Sequence, residues 1–138
     1  MRVLLDTNVV LDFVLERNPF FIEADDIFLR LRNSEFVGFV SPITPINVFY
    51  TTRKEKGKDL AFIAVEELLN LAEIVETDKK TFQNALASNF KDFEDAVQHE
   101  SAVAENLDAI VTRNTKDFVN ARLKVYSPSE FLMVLQQP

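Results

Sequence analysis

The sequence contains no cysteine and only one histidine, His99. The first absence excludes disulfide stapling, a thiol nucleophile and every cysteine-containing zinc site; the second excludes histidine-rich zinc chemistry. No apolar run approaches the roughly 20 residues that a membrane-spanning helix needs, and the opening MRVLLDTN lacks the charged and apolar regions of a secretory signal. The expectation is a soluble cytoplasmic protein with no membrane partner. Positive charge is also in short supply. Fifteen basic residues face 22 acidic ones, and the formal charge of -7 argues against a broad electrostatic grip on nucleic acid.

What is present is enough for one core: 138 residues with 47% hydrophobic content, read as one domain over 1–138. The charge is patterned along the chain. Segment 92–108 holds Asp92, Glu94, Asp95, Glu100, Glu105 and Asp108 without a lysine or arginine, whereas RKEKGK at 53–58 and Arg113, Lys116, Arg122 and Lys124 are basic. An acidic zone suited to a cation therefore lies between segments suited to a polyanion.

Val3, Leu4 and Leu5 read as a buried strand that stops at Asp6-Thr7-Asn8, and VVLDFVLE continues with helical apolar spacing. Pro19 suits the first turn of a second helix with Phe20, Ala24, Ile27, Phe28 and Leu31 on its apolar face. A second strand runs from Phe36 to Val40 and ends at Ser41-Pro42; Pro45 then opens a helix that stops at Gly57. An amphipathic helix over 59–72, a short strand at Glu73 to Val75 and a helix capped by Thr77 or Asp78 follow. The SNFKDF connection precedes a long helix from Phe93 to about Asn106, a third apolar strand at Ala109 to Val111, an edge strand near Val125 and a last helix capped by Ser127 or Ser129. Alternating strands and helices predict a three-layer α/β fold with a central parallel sheet.

In open parallel sheets, sites form at the carboxyl ends of strands. Asp6 directly follows the first strand, Asp117 lies just past the AIV strand, and Asp95 sits near the start of the long helix. Convergent carboxylates repel one another by several kcal/mol unless a cation neutralises them, and an all-oxygen set selects Mg2+ or Mn2+ over zinc. Each residue also has a local explanation: Asp6 as a helix cap, Asp95 as an exposed first-turn acid, Asp117 as the cap of a turn. Asp12, Asp25 and Asp26 read as acids on helical surfaces. Asp92, three residues before Asp95, reads as a possible further member of the cluster.

Four segments, VLLDTNVVLD at 3–12, VSPITPINVFY at 40–50, DFEDAVQ at 92–98 and AIVTRNTKDF at 109–118, together resemble the PIN domain, a nuclease family that includes the toxins of VapC-type toxin–antitoxin pairs. The resemblance implies a central parallel sheet, an acidic pocket for Mg2+ or Mn2+, RNA cleavage, a homodimer and a small antitoxin as inhibitor. It assigns the first family acid to Asp6, with Thr7 and Asn8 orienting the loop and carboxylate, the third to Asp95 and the last to Asp117. Two departures stand out. Asn47 occupies the position where many members carry a glutamate after a Ser-x-x-Thr segment, here Ser41 and Thr44, and Asn114 replaces a commonly acidic residue. An amide supplies a ligand oxygen but no charge, so metal affinity should fall, with Asp92 as the compensating acid.

Arg113, Lys116 and Arg53 are candidate phosphate contacts, Ser41 and Thr44 are candidate pocket supports, and His99 has no assigned catalytic role. The leading expectation is a Mg/Mn-dependent endoribonuclease that hydrolyses RNA phosphodiester bonds as the toxin of a toxin–antitoxin pair. The alternatives are a PIN-like interaction or regulatory protein of low activity, and a Mg-dependent phosphoryl-transfer enzyme.

Overall fold

The structure is a computed structural model and describes residues 1–137. Strands β1 (Arg2–Leu5), β2 (Val37–Val40), β3 (Glu73–Ile74), β4 (Ala109–Val111) and β5 (Lys124–Tyr126) form one sheet in the order β3-β2-β1-β4-β5. Every neighbouring pair is parallel. The connections carry helices α1 (Thr7–Val14), α2 (Phe21–Arg32), α3 (Ile43–Lys56), α4 (Lys58–Leu71), α5 (Lys79–Ala87) and α6 (Phe93–Ala104), and α7 (Pro128–Gln136) closes the chain.

Short unbroken apolar strands arise because both faces of the sheet are covered. Successive side chains of β1 point to opposite faces. Val3 and Leu5 join Val9, Val10, Ile27, Phe28, Ala109 and Val111 in one cluster, while Leu4 joins Phe39, Ala102, Ile110 and Phe118 in the other. The three β1 residues are fully buried, each contributing about 1.5–3 kcal/mol of transfer free energy. Gly38 is required by packing, since a Cβ there would lie 2.9 Å from a Leu31 methyl on α2. Gly57 is required by the backbone: at φ 95° it stops α3 and starts α4, a conformation costly for any residue with a side chain.

The expected elements are all present, and the cap alternatives resolve. Asp78 forms a reciprocal capping box with Thr81, and Ser127 forms one with Glu130. Two expectations are corrected. Pro19 precedes α2 instead of lying in its first turn, and Phe20, at the N-cap, is exposed. Asp12 is not on a helical surface but only 1% exposed, because α1 packs closely enough for Arg113 to reach it.

Candidate active site

The strand order sets the location. From β1 the chain moves outward through β2 and β3, then returns to β4 on the other side of β1 and continues to β5. The connections leaving β1 and β4 therefore diverge and leave a crevice beyond the carboxyl ends of the strands. A cleft of about 760 Å³ opens there, lined by Asp6, Asp95, Asp117, Asp92 and Glu94 among others.

Asp6 is the first residue beyond β1, and its backbone N–H donates to the Val111 carbonyl at 3.0 Å, carrying the β1–β4 ladder one residue into the site. It stands at the N-cap of α1, yet its carboxylate makes no cap hydrogen bond. The carboxylate instead accepts from Thr112 Oγ1 at 2.6 Å and from Gln98 Nε2 at 3.0 Å. Both donors are fully buried and uncharged. The expectation that Thr7 and Asn8 orient this carboxylate is therefore corrected. Thr7 and Thr44 place their hydroxyls 2.8 Å apart, and Thr7 also donates to Glu94 at 3.4 Å. Asn8 lines the cleft with a buried Oδ1 that has no partner among the described residues.

Helix α6 supplies the second group of acids. Its N-cap Asp92 accepts the Asp95 backbone N–H at 2.9 Å, a bond that fixes the first turn and presents Asp95 to the cleft. Asp95 is half-buried, and its pKa is pushed up to about 7, first by desolvation and then by the negative charges of Asp6, Asp92, Asp117 and Glu94. Glu94 is shifted upward too, by desolvation and then by Asp6 and Asp92, with a smaller opposing effect from the Thr7 hydroxyl. Asp117 enters from the 3-10 turn Thr115–Phe118 after β4. Asp95 is half-buried and Asp117 exposed, and the charge of Asp117 reaches Asp95 across the cleft.

Asn47, on α3, lines the same cleft and donates from Nδ2 to Glu94 Oε1 at 3.4 Å. Glu94 thus brings a carboxylate to the side chain that replaces the family's usual glutamate. Asp92, expected to compensate, also contributes charge but spends one oxygen on its cap. Asn114 and Lys116 line the cleft, and the Asn114 backbone N–H donates to Thr112 Oγ1 at 3.0 Å. Ser41 is buried beside an adjoining apolar groove, where its hydroxyl accepts from the Ile43 N–H at 3.4 Å. Arg113 does not line the cleft. Its guanidinium donates to both Asp12 oxygens, at 2.6 and 3.2 Å, and lies 3.9 Å from the Phe20 ring centre.

Gln98, Thr112 and Glu94 were not among the expected site residues. Gln98 was findable one turn after Asp95 on the same helical face, and Thr112 as the residue following the third apolar strand. Glu94 carried no such signal, because its role depends on α3 lying beside α6.

Hard oxygen donors, mutual repulsion that raises Asp95 and Glu94, and the unpartnered Asn8 Oδ1 all fit a divalent cation. Among the described residues, no group of three acidic side chains closes into a ready-made cage. That spacing is compatible with Mg2+, which keeps several waters and is commonly held by one or two carboxylates together with substrate phosphate.

The PIN domain family matches residues 2–116, and the chain belongs to that family. No curated protein sequence matches it significantly. Among solved structures, a toxin–antitoxin complex from Klebsiella pneumoniae is 24% identical, with a TM-score of 0.69 over 91% of this chain and 97% of that one. VapBC-1 from nontypeable Haemophilus influenzae is 18% identical, with a TM-score of 0.68 over 94% and 99% of the two chains. A sarcin-ricin loop-cleaving VapC toxin from Mycobacterium tuberculosis is 14% identical, with a TM-score of 0.62 over 78% and 86%. These likenesses establish the fold. Among the described residues no helix is long and apolar enough to cross a membrane.

Proposed function

We propose that the protein is a Mg2+- or Mn2+-dependent endoribonuclease acting as the toxin of a toxin–antitoxin pair. The observation that carries this reading is that Asp6, Asp95 and Asp117, from three separate elements, line one cleft in which Asp6 is held only by neutral donors. Asp6, Asp95 and Asp117 would hold the cation, with Asn47, Asp92 and Glu94 around it. When bound, the cation would polarise a phosphate oxygen and acidify water. The chain's own contribution is placement. Thr112 and Gln98 fix the Asp6 carboxylate, and the Asp92 cap fixes the first turn of α6 and with it Asp95, whose carboxyl oxygens can accept a hydrogen bond from a water in the cleft. Lys116, exposed on the cleft, is positioned to meet a phosphate.

The toxin assignment draws support from the family and from the toxin–antitoxin complexes, VapBC-1 among them, that share the fold. Exposed apolar side chains on α3 and α4, including Ile46, Tyr50 and Phe62, offer surface for a second copy and for an antitoxin. The low-activity regulatory reading keeps one observation in its favour, that among the described residues no group of three acidic side chains closes into a cage.

The deciding experiment incubates purified protein with mixed RNAs in Mn2+, Mg2+ or chelator, beside Asp6→Asn. Cleavage that needs the metal and Asp6 is expected. Mn2+ binding by calorimetry with no cleavage of any RNA would move the assignment to the regulatory reading.

A further inference from the structure

The acidic cleft continues past its carboxylates onto a wall of different chemistry, built from the connection between α5 and α6 and the segment after the 3-10 turn. We propose that Asn89, Phe90 and Asn120 on this wall form a subsite for one unpaired nucleobase of the RNA, stacked on the Phe90 ring beside the scissile phosphate. The inference rests on the ribonuclease reading and adds how the RNA is gripped.

Phe90 lines the cleft and is half-buried. One face of its ring stacks on His99, with centroids 4.8 Å apart and planes at 30°, and Phe118 meets it edge-on at 5.6 Å. His99 is itself immobilised: its Nε2 accepts the Arg122 backbone N–H at 2.9 Å, and its Nδ1 donates to Glu100 at 2.7 Å. Arg122 completes the unit with bonds of 3.0 Å to both Glu100 oxygens. Burial lowers the His99 pKa, in keeping with a neutral ring used as a packing surface rather than as an acid or base. Phe90 is therefore a ring already locked in place, so a base that stacks on it costs little ordering of the protein.

The surroundings suit a nucleobase more than a generic apolar group. Asn120 Nδ2 donates to the Asn89 carbonyl at 3.1 Å, tying the two edges of the wall together. Asn89, Asn120 and Asn114 all line the cleft, and carboxamides can both donate to and accept from base edges. Lys91 and Lys116 are exposed on the same cleft, whereas the neighbouring Arg113 and Arg122 are bound into ion pairs.

Electrostatics sharpen the argument. Two lysines contacting phosphates of a single strand predict a log-log salt slope of only about -1.4. The chain carries a net -7, so phosphate contacts alone are a weak grip. Stacking on an aromatic ring contributes roughly five- to a hundredfold in affinity per base, which is the larger effect here. A paired base inside a helix cannot offer its face to Phe90. The subsite therefore takes a base that is unpaired at that position.

The test uses short oligoribonucleotides carrying 2-aminopurine, whose fluorescence falls on stacking, with Asp6→Asn in every protein so that the RNA survives. Quenching on binding is expected, together with loss of the quench and roughly tenfold weaker binding in Phe90→Leu, and retention of both in Phe90→Tyr. With Asp6 restored, Phe90→Leu should raise KM or shift the cleavage positions while calorimetric Mn2+ binding stays at the parent value. Should Phe90→Leu unfold, an abasic ribose scanned along the RNA interrogates the same contact on the parent protein, and one position should lose affinity. Parent-like quench and affinity in folded Phe90→Leu, equal binding of fully paired duplex, or no sensitive abasic position overturns the subsite while leaving metal-dependent cleavage intact. Absence of RNA binding and cleavage by the parent removes both the ribonuclease reading and the subsite.

Discussion

Asp6 and Asp12 are both buried, at 5% and 1% exposure, yet the protein treats their charges in opposite ways. Asp12 receives a two-pronged guanidinium from Arg113, an ion pair that offsets the cost of desolvating the carboxylate. Asp6 receives only a hydroxyl and a carboxamide, and its charge adds to those of Asp92, Asp117 and Glu94 around Asp95. The same division appears in α6. Glu100, toward its end, is closed by Arg122 and His99, while Asp95, near its start, faces other acids. Asp12 and Glu100 are neutralised by the chain's own cations, whereas among the described residues the carboxylates of the cleft carry no ion pair.

The sharpest way to break this comparison is to neutralise each aspartate in turn. Asp6→Asn should reduce RNA cleavage by on the order of a hundredfold or more while leaving thermal stability equal or higher, because a repelling charge has been removed. Asp12→Asn should do the reverse, costing about 2 kcal/mol in denaturant unfolding by leaving Arg113 without its anionic partner. If the two variants lose stability alike, the distinction between the two sites collapses.

Adding charge should matter somewhat less. Asn47→Glu is expected to strengthen Mn2+ binding in calorimetry by about tenfold, since it brings a further carboxylate to the Glu94 side of the cleft. In the background of Glu94→Gln the gain should be larger, because neighbouring charges are not additive. Equal gains in both backgrounds would separate Asn47 from Glu94 energetically.

Changing pH reads the comparison without mutation. Asp95 has its folded-state pKa raised to about 7, so its neutral form favours the fold. That stability is fully present below the unfolded value near pH 4 and is lost as pH rises through about 7. Metal-free protein in chelator should therefore melt lower at about pH 8 than at about pH 5, a slope that Asp95→Asn flattens and Mn2+ diminishes. Asp78 has the opposite sign. Its pKa is lowered by the Thr81 backbone N–H and hydroxyl, so its contribution is present above its unfolded value and lost as pH falls through the folded one. Asp78→Ala should slightly reduce the acid-side loss in a melting series below about pH 4, without altering RNA cleavage.

Much of this arrangement was legible before the fold was seen, for reasons visible in particular residues. The run Val3-Leu4-Leu5 ending at Asp6 marks a buried strand and puts a carboxylate at its carboxyl end, where sites form in open parallel sheets. The Asp92 and Asp95 spacing likewise announces a capped helix start. Asp12 reads as a surface acid and Arg113 as a phosphate contact, each within its own segment, and neither reading pairs them. Nothing local records that α1 passes the end of β4. The wall carrying Phe90 was legible only as an irregular connection, since its meaning depends on His99 and Asn120, which arrive from other parts of the chain.

By itself, then, the chain determined its elements and their parallel α/β assembly, because apolar periodicity, capping residues and glycine positions act over a few neighbouring residues. It also determined which carboxylates follow strand ends. Only the tertiary structure decided which acids meet a cation of the protein and which do not, since charges interact through space at 3–4 Å and are indifferent to separation along the sequence. That is why Arg113, adjacent in sequence to the site residue Thr112, belongs to Asp12, and why Glu94 belongs to Asn47.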